Sequence, residues 1–105
     1  MSYQERHCVP SSQPYLSGHF PDDPVVPAVI ILEMVRETIS RWKGEVDMTG
    51  VPSAKFKAPL RPDVAFTICL HEVGDCVVAF ECKTEDLMIA EGRAEVSRPS
   101  ALGGS

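Results

Sequence analysis

No run of apolar residues in this chain approaches the ~20 needed to cross a bilayer, and the residues after Met1 lack a signal-peptide h-region. A cytoplasmic protein that does not enter membranes is therefore expected. Basic residues are in deficit: ten Lys and Arg against fifteen Asp and Glu leave a formal charge of −5. That balance excludes a general nucleic-acid binder, which needs a basic face. Cys8, Cys69, Cys76 and Cys82 form no C-x-x-C pair and no zinc-like spacing, so no metal centre is expected. All four lie in strand-like runs and are read as reduced thiols acting as small hydrophobes. Internal repeats are absent, and 105 residues leave no room for a second core.

What is present reads as an ordinary globular domain, 44% apolar and 24% charged. A domain this small buries only roughly 60–70% of its unfolded surface, so oligomerisation would help it. Tyr3 to Val9 reads as a short strand ended by Pro10, and Ser11 to Asp23 as a loop punctuated by Pro14, Gly18 and Pro21. Pro27 suits the first turn of a helix running to about Lys43, with Gly44 as its stop and Arg41 and Lys43 in the last turn. The first half of that helix, Val29-Ile30-Ile31-Leu32 with Met34 and Val35, has almost no polar face. A helix apolar all round is expected to be buried all round, with a curved sheet as the wrapper.

The second half supplies strands. Ala54 to Ala58 alternates around Phe56, and Pro59, Pro62 and Asp63 mark a turn. Ala65 to Val73 and Cys76 to Lys83 read as a hairpin about Gly74-Asp75, and Leu87 to Val96 as the last strand. Residues 1–97 are thus read as one α+β domain, an antiparallel sheet around one long central helix, and 98–105 as a disordered small-residue tail.

The chemistry-bearing stretch is Gly18-His19-Phe20-Pro21, Pro24 and Pro27-Ala28-Val29, followed by Glu33 in the apolar helix. It brings together a group that titrates near neutral pH, a second acid and a helix N-terminus. This pattern resembles the signature of the hot-dog-fold β-hydroxyacyl-(acyl carrier protein) dehydratases. Ala54-Lys55-Phe56-Lys57-Ala58-Pro59-Leu60-Arg61-Pro62-Asp63 and Ala90 to Val96 are similar to later segments of that family. Two positions depart from it: Ala28 stands where glycine is usual, and Asp63 follows Pro62 directly where a glycine often intervenes.

The resemblance implies a lyase that converts a 3-hydroxyacyl thioester to the 2-enoyl thioester, in fatty-acid or specialised acyl or polyketide synthesis. It assigns His19 as the base at C2 and Glu33 as the group that handles the hydroxyl. In the family these two come from opposite subunits of a homodimer. No metal or redox cofactor is implied; the substrate rides on the phosphopantetheine of an acyl carrier protein or on CoA. The backbone amides of Ala28 and Val29 are the first free donors of the helix, placed to polarise a thioester carbonyl. Phe20, Val26 and Pro27 would border the substrate. Lys55, Lys57 and Arg61, with Arg36, Arg41 and Lys43, are basic residues able to meet an acidic carrier protein.

Taken singly, these residues have plainer readings. A loop histidine is usually solvated, Glu33 can begin a polar stripe with Arg36, Glu37 and Ser40, and the lysines can form an ordinary surface. His7 and His71 are read as strand-surface residues. Two alternatives to the lyase stay open: a hot-dog thioesterase in which Glu33 activates water, and a non-catalytic domain that binds acyl chains or a carrier protein.

Overall fold

Alternation decides the architecture. In the computed structural model, Phe66, Ile68 and Leu70 of β3 (Phe66–Gly74) and Val78, Phe80 and Cys82 of β4 (Val77–Lys83) are all buried on one face. The structure describes residues 1–13, 24–44 and 46–97. Within them, β1 (Ser2–His7), α1 (Ala28–Lys43), β2 (Asp47–Phe56), β3, β4 and β5 (Met88–Ser97) follow in chain order. The strands form one sheet in the order β1-β3-β4-β5-β2, antiparallel throughout. Cross-strand pairs Leu70 with Phe80, Phe80 with Gly92 and Cys82 with Ala90 floor the core. Each fully buried aliphatic or aromatic side chain there stabilises the fold by roughly 1.5–3 kcal/mol.

The helix lies on that floor through Ile31, Val35, Thr38 and Ile39, spaced as one stripe of a 3.6-residue period. It begins where Pro27, extended at φ −61° and ψ 146°, turns its carbonyl to accept from the amides of Ile30 (3.0 Å) and Ile31 (3.2 Å). It ends at Gly44, whose φ of 80° suits glycine and whose N–H donates to the Ser40 carbonyl at 2.8 Å. The expected span is therefore found. The expected all-round burial is not: Val29 is 69% exposed and Ala28 is exposed as well. A single sheet layer covers only one side of a helix, so the apolar surplus of the first turns faces outward in one chain.

Three strand readings are corrected. β2 begins at Asp47 rather than Ala54, and Lys57 and Ala58 lie beyond it. β2 carries Gly50 and Pro52 because, among the described residues, it is an edge strand bonded only to β5, and register shifts at Gly50 and Ser53 accommodate the proline. The hairpin turn falls on Asp75-Cys76, because Gly74 stays in β3 opposite Val77 after a shift. Ser97 closes β5, while residues 98–105 lie outside the described residues.

Of the cysteines, Cys69 and Cys82 are buried in strands, whereas Cys8 and Cys76 are exposed and outside them. All four are free thiols, and burial pushes Cys82 up to about 12, so its thiol is inert. His71 is exposed on β3 as expected, but His7 is not a surface residue. Its Nε2 lies 3.1 Å from Glu5 Oε1 and 3.3 Å from Thr38 Oγ1. The Thr38 hydroxyl donates to the Met34 carbonyl (2.7 Å), so its oxygen is left to accept from Nε2–H. Tyr3, Glu5 and His7 point toward α1, and Tyr3 stacks on Trp42 with ring centroids 5.9 Å apart. Arg41 Nη2 closes the cluster on Glu5 at 2.8 Å.

Candidate active site

The opening turn of α1 carries neither a side-chain cap nor an acidic residue. Its first amides, Ala28 and Val29, have no earlier turn to donate into, and no acidic residue of that turn offsets the positive end of the helix dipole. Beside it lies a groove of about 290 Å3, lined by Val26, Ala28, Ile31, Phe56, Lys57 and Leu60 among others. Val26 is buried, its amide donating to the Leu60 carbonyl at 2.8 Å, so the approach to the helix is fixed to the 57–63 segment. Pro27 bridges the two. The sequence-predicted residues Val26, Pro27, Ala28 and Val29 are therefore contiguous, next to an apolar trough with one cation at its rim. His19 and Phe20 lie outside the described residues.

Glu33 is elsewhere on the helix. It stands about 200° around the axis from buried Ile31 and one turn on from exposed Val29. One chain thus does not bring Glu33 to its own groove. The carboxylate is 49% exposed and accepts from Arg36 Nε at 2.9 Å. The Arg36 hydrogen bond holds it below the usual carboxylate range, whereas proton donation at neutral pH calls for a pocket that raises it. The difference follows from position: the Glu33 side chain is half exposed, and among the described residues its hydrogen-bond partner is Arg36.

Among the basic residues, Lys57 pairs with Glu91 at 2.9 Å, Arg41 with Glu5, and Lys43 with Glu72. Lys55 is exposed opposite Glu91 in the β2–β5 register, and Arg61 is exposed. Lys57 thus has two neighbours, the groove and an acid, which the sequence pattern did not reveal. Asp63 was read as part of a turn and as a departure from the family pattern. It carries the single positive φ of a non-glycine residue among the described residues, 66°. An acid directly after proline in a turn is the signal that pointed there.

Comparison with known proteins gives the family and the fold. The family model described as ApeI-like, ApeI dehydratase, matches residues 2–93. A 3-hydroxyacyl-[acyl-carrier-protein] dehydratase, FabZ, of Thermoanaerobacter sp. (strain X514) is 34% identical over 62 residues, covering 51% of this chain and 44% of its own. Its counterpart in Caulobacter vibrioides (strain NA1000 / CB15N) is 37% identical over 65 residues, covering 52% and 41%. The chain therefore spans less than half the length of these curated relatives. Among solved structures, the dehydratase heterocomplex ApeI:P from Xenorhabdus doucetiae superposes with a TM-score of 0.82 at 16% identity, over 92% of this chain and 88% of that one. The fluoroacetyl-CoA thioesterase FlK does so at 0.69 and 12% identity, over 99% and 90%. At such identities the structures establish the fold, which is the hot-dog fold.

Proposed function

Since the chain belongs to the ApeI-like dehydratase family, we propose that it removes water from a 3-hydroxyacyl thioester, carried on acyl carrier protein or CoA, to give the 2-enoyl thioester. The pathway is fatty-acid or specialised acyl or polyketide synthesis in the cytoplasm. The working unit is a homodimer of the 1–97 domain, in which His19 of one chain meets Glu33 of the other. His19 takes a proton from C2, Glu33 gives one to the departing hydroxyl, and the pair resets through solvent after water and product leave. The thioester oxygen gains charge as the C2–H bond breaks, and the amides of Ala28 and Val29 receive it. Phe20, Val26 and Pro27 border the acyl and thioester atoms. Lys55, Lys57 and Arg61 receive the carrier protein. No metal or redox cofactor is called on: the C2–H and C3–O bonds break, the C2–C3 double bond forms, water leaves, and there is no net change of oxidation state.

The observation that carries this reading is the uncapped N-terminus of α1 opening on an apolar groove. The placement of Glu33 on the opposite, exposed side of the helix supports a second chain as the partner of the groove. The methyl of Ala28 narrows the approach to the amides without removing them. We expect purified protein, assayed on short and long 3-hydroxyacyl thioesters, to show enoyl absorbance without free thiol. His19→Ala and Glu33→Gln should each lower turnover about 10²–10⁴-fold while the dimer persists. Wild-type turnover in both variants refutes the assignment.

One observation favours a second reading. The Glu33 carboxyl is held ionised by Arg36, which suits a base that activates water, and thioesterases share the fold. Thiol release from acyl-CoA with no enoyl signal would select that chemistry.

A further inference from the structure

We infer that Lys57 selects a phosphorylated substrate, leaving Glu91 to hold the phosphate of a pantetheine arm laid along the groove beside α1. The inference rests on the proposed thioester substrate and adds the group recognised and the side chain that recognises it. In this groove of about 290 Å3, Lys57 is the one charged residue of the lining, and the others are aliphatic, aromatic or proline. The lining also includes Ala28, whose amide opens the helix. An apolar trough with a single cation fits a ligand that is largely apolar along its length and anionic at one end. A plain acyl tail ends in a methyl group and gains nothing from an ammonium. A pantetheine arm carries its thioester at one end and a phosphate at the other. With the thioester carbonyl at the Ala28 and Val29 amides, the phosphate is left for Lys57.

The backbone of Lys57 is fixed while its ammonium is only loosely held. Its amide donates to the Ile89 carbonyl at 2.8 Å, and the Ala58 amide shares that acceptor at 3.4 Å. The side chain is 47% exposed, and Nζ lies 2.9 Å from Oε2 of Glu91, itself 37% exposed. Such an exposed pair contributes little, because water competes for both partners. A phosphate can therefore draw the ammonium away at small cost, by rotation about its four-carbon stem. Glu91 keeps a cation nearby after the exchange. Lys55, two residues before Lys57, lies directly opposite Glu91 in the β2–β5 register. Two lysines thus stand near one acid, and only Lys57 borders the groove.

The test uses two substrates that differ by one group, 3-hydroxybutyryl-pantetheine and its 4′-phosphate. Wild-type protein should favour the phosphorylated ester about tenfold in kcat/KM, chiefly through KM. Lys57→Met keeps the stem and should bring that ratio to about one, whereas Lys57→Arg should preserve it. Glu91→Gln, which removes the resting partner, should raise it about twofold. Repeating Lys57→Met on CoA and carrier-protein esters tells which carrier delivers the phosphate. A wild-type protein indifferent to the phosphate overturns the inference. So does a Lys57→Met protein that keeps the wild-type ratio, even if it binds a carrier protein less well, since Lys57 would then meet the protein and not the arm. Binding is read apart from turnover by titrating 4′-phosphopantetheine that carries no acyl group. The Lys57 side-chain resonances of wild type should shift, and pantetheine without phosphate should leave them in place. If neither ester is converted, the dehydration reading fails and this titration still decides the inference: equal shifts with both compounds, or none with either, overturn it.

Discussion

Two carboxylates among the described residues, Glu5 and Glu33, are held below their usual range by arginine, and they differ in what that means. Glu5 sits at about 2, chiefly through its hydrogen bonds from Arg41, with its side chain only 18% exposed. A carboxyl depressed in the folded state contributes stability above its ordinary value of 4.5, and loses it as pH falls from there to about 2. The contribution is about 2 kcal/mol once screening of the half-exposed Arg41 is allowed for. Glu5→Gln should lower Tm at pH 7 by roughly 5–10 °C, and the gap should shrink steeply by pH 2.5 and vanish only below about 2. Denaturant melts at both pH values decide it, and an equal gap at each would remove Glu5 as the cause. Glu33 is also lowered by its arginine, Arg36, but its exposure makes it a kinetic rather than a stability matter. If Glu33 donates a proton, rate falls as pH rises through its pKa. Arg36→Met releases the hold, so the alkaline limb of the pH–rate profile should move upward. If Glu33 is instead a base, the acidic limb should be the one that moves.

At the scale of elements, β2 depends on a missing side chain. A Cβ at Gly92 would lie 2.2 Å from the Ser53 carbonyl oxygen, 2.8 Å from Phe80 Cζ and 2.9 Å from Ala54 Cα. Phe80 is buried and yields no more than its rotamer allows, the Ser53 and Ala54 atoms are backbone, and β2 must move away from β5. Gly92→Ala should therefore cost about 1–3 kcal/mol and raise amide exchange along β2 before it does so in β3. Uniform exchange across the sheet would contradict this. The same strand shows what could be read from the sequence. Phe66-x-Ile68-x-Leu70 and Val78-x-Phe80-x-Cys82 declare their strands through alternation. Pro27 and Gly44 bracket α1 because their backbone needs are strong. The start of β2 was hidden because Gly50 and Pro52 act locally as loop formers, and only the edge position and two register shifts admit them. His7 was hidden differently: alternation in Tyr3-x-Glu5-x-His7 is polar on the inward face, and its meaning lies in Thr38 and Arg41, more than thirty residues away. The site was half legible. The spacing of Ala28 and Glu33 along the helix is in the sequence, but their placement on different sides of one protomer follows from which stripe the sheet covers.

Part of the exposed apolar surface lies at the first turns of α1 and the end of β2, where Val29 is 69% and Phe56 42% exposed. The outer edge of β2 bonds to no strand among the described residues. A second copy meeting this edge would extend the sheet and cover the face that holds Glu33. That change of surroundings is what a carboxylate held down by Arg36 needs before it can donate a proton near neutral pH. The proposal that each site takes His19 from one chain and Glu33 from the other has a direct consequence. Neither His19→Ala nor Glu33→Gln protein should turn over alone. When the two are unfolded together and refolded at equal amounts, half the dimers are mixed, and each mixed dimer holds one site with both native groups. Activity should return to about a quarter of the wild-type value by random pairing. Mixing without subunit exchange should return none. If His19 and Glu33 acted within one chain, no pairing would assemble an intact site, and the refolded mixture would stay as inactive as its components.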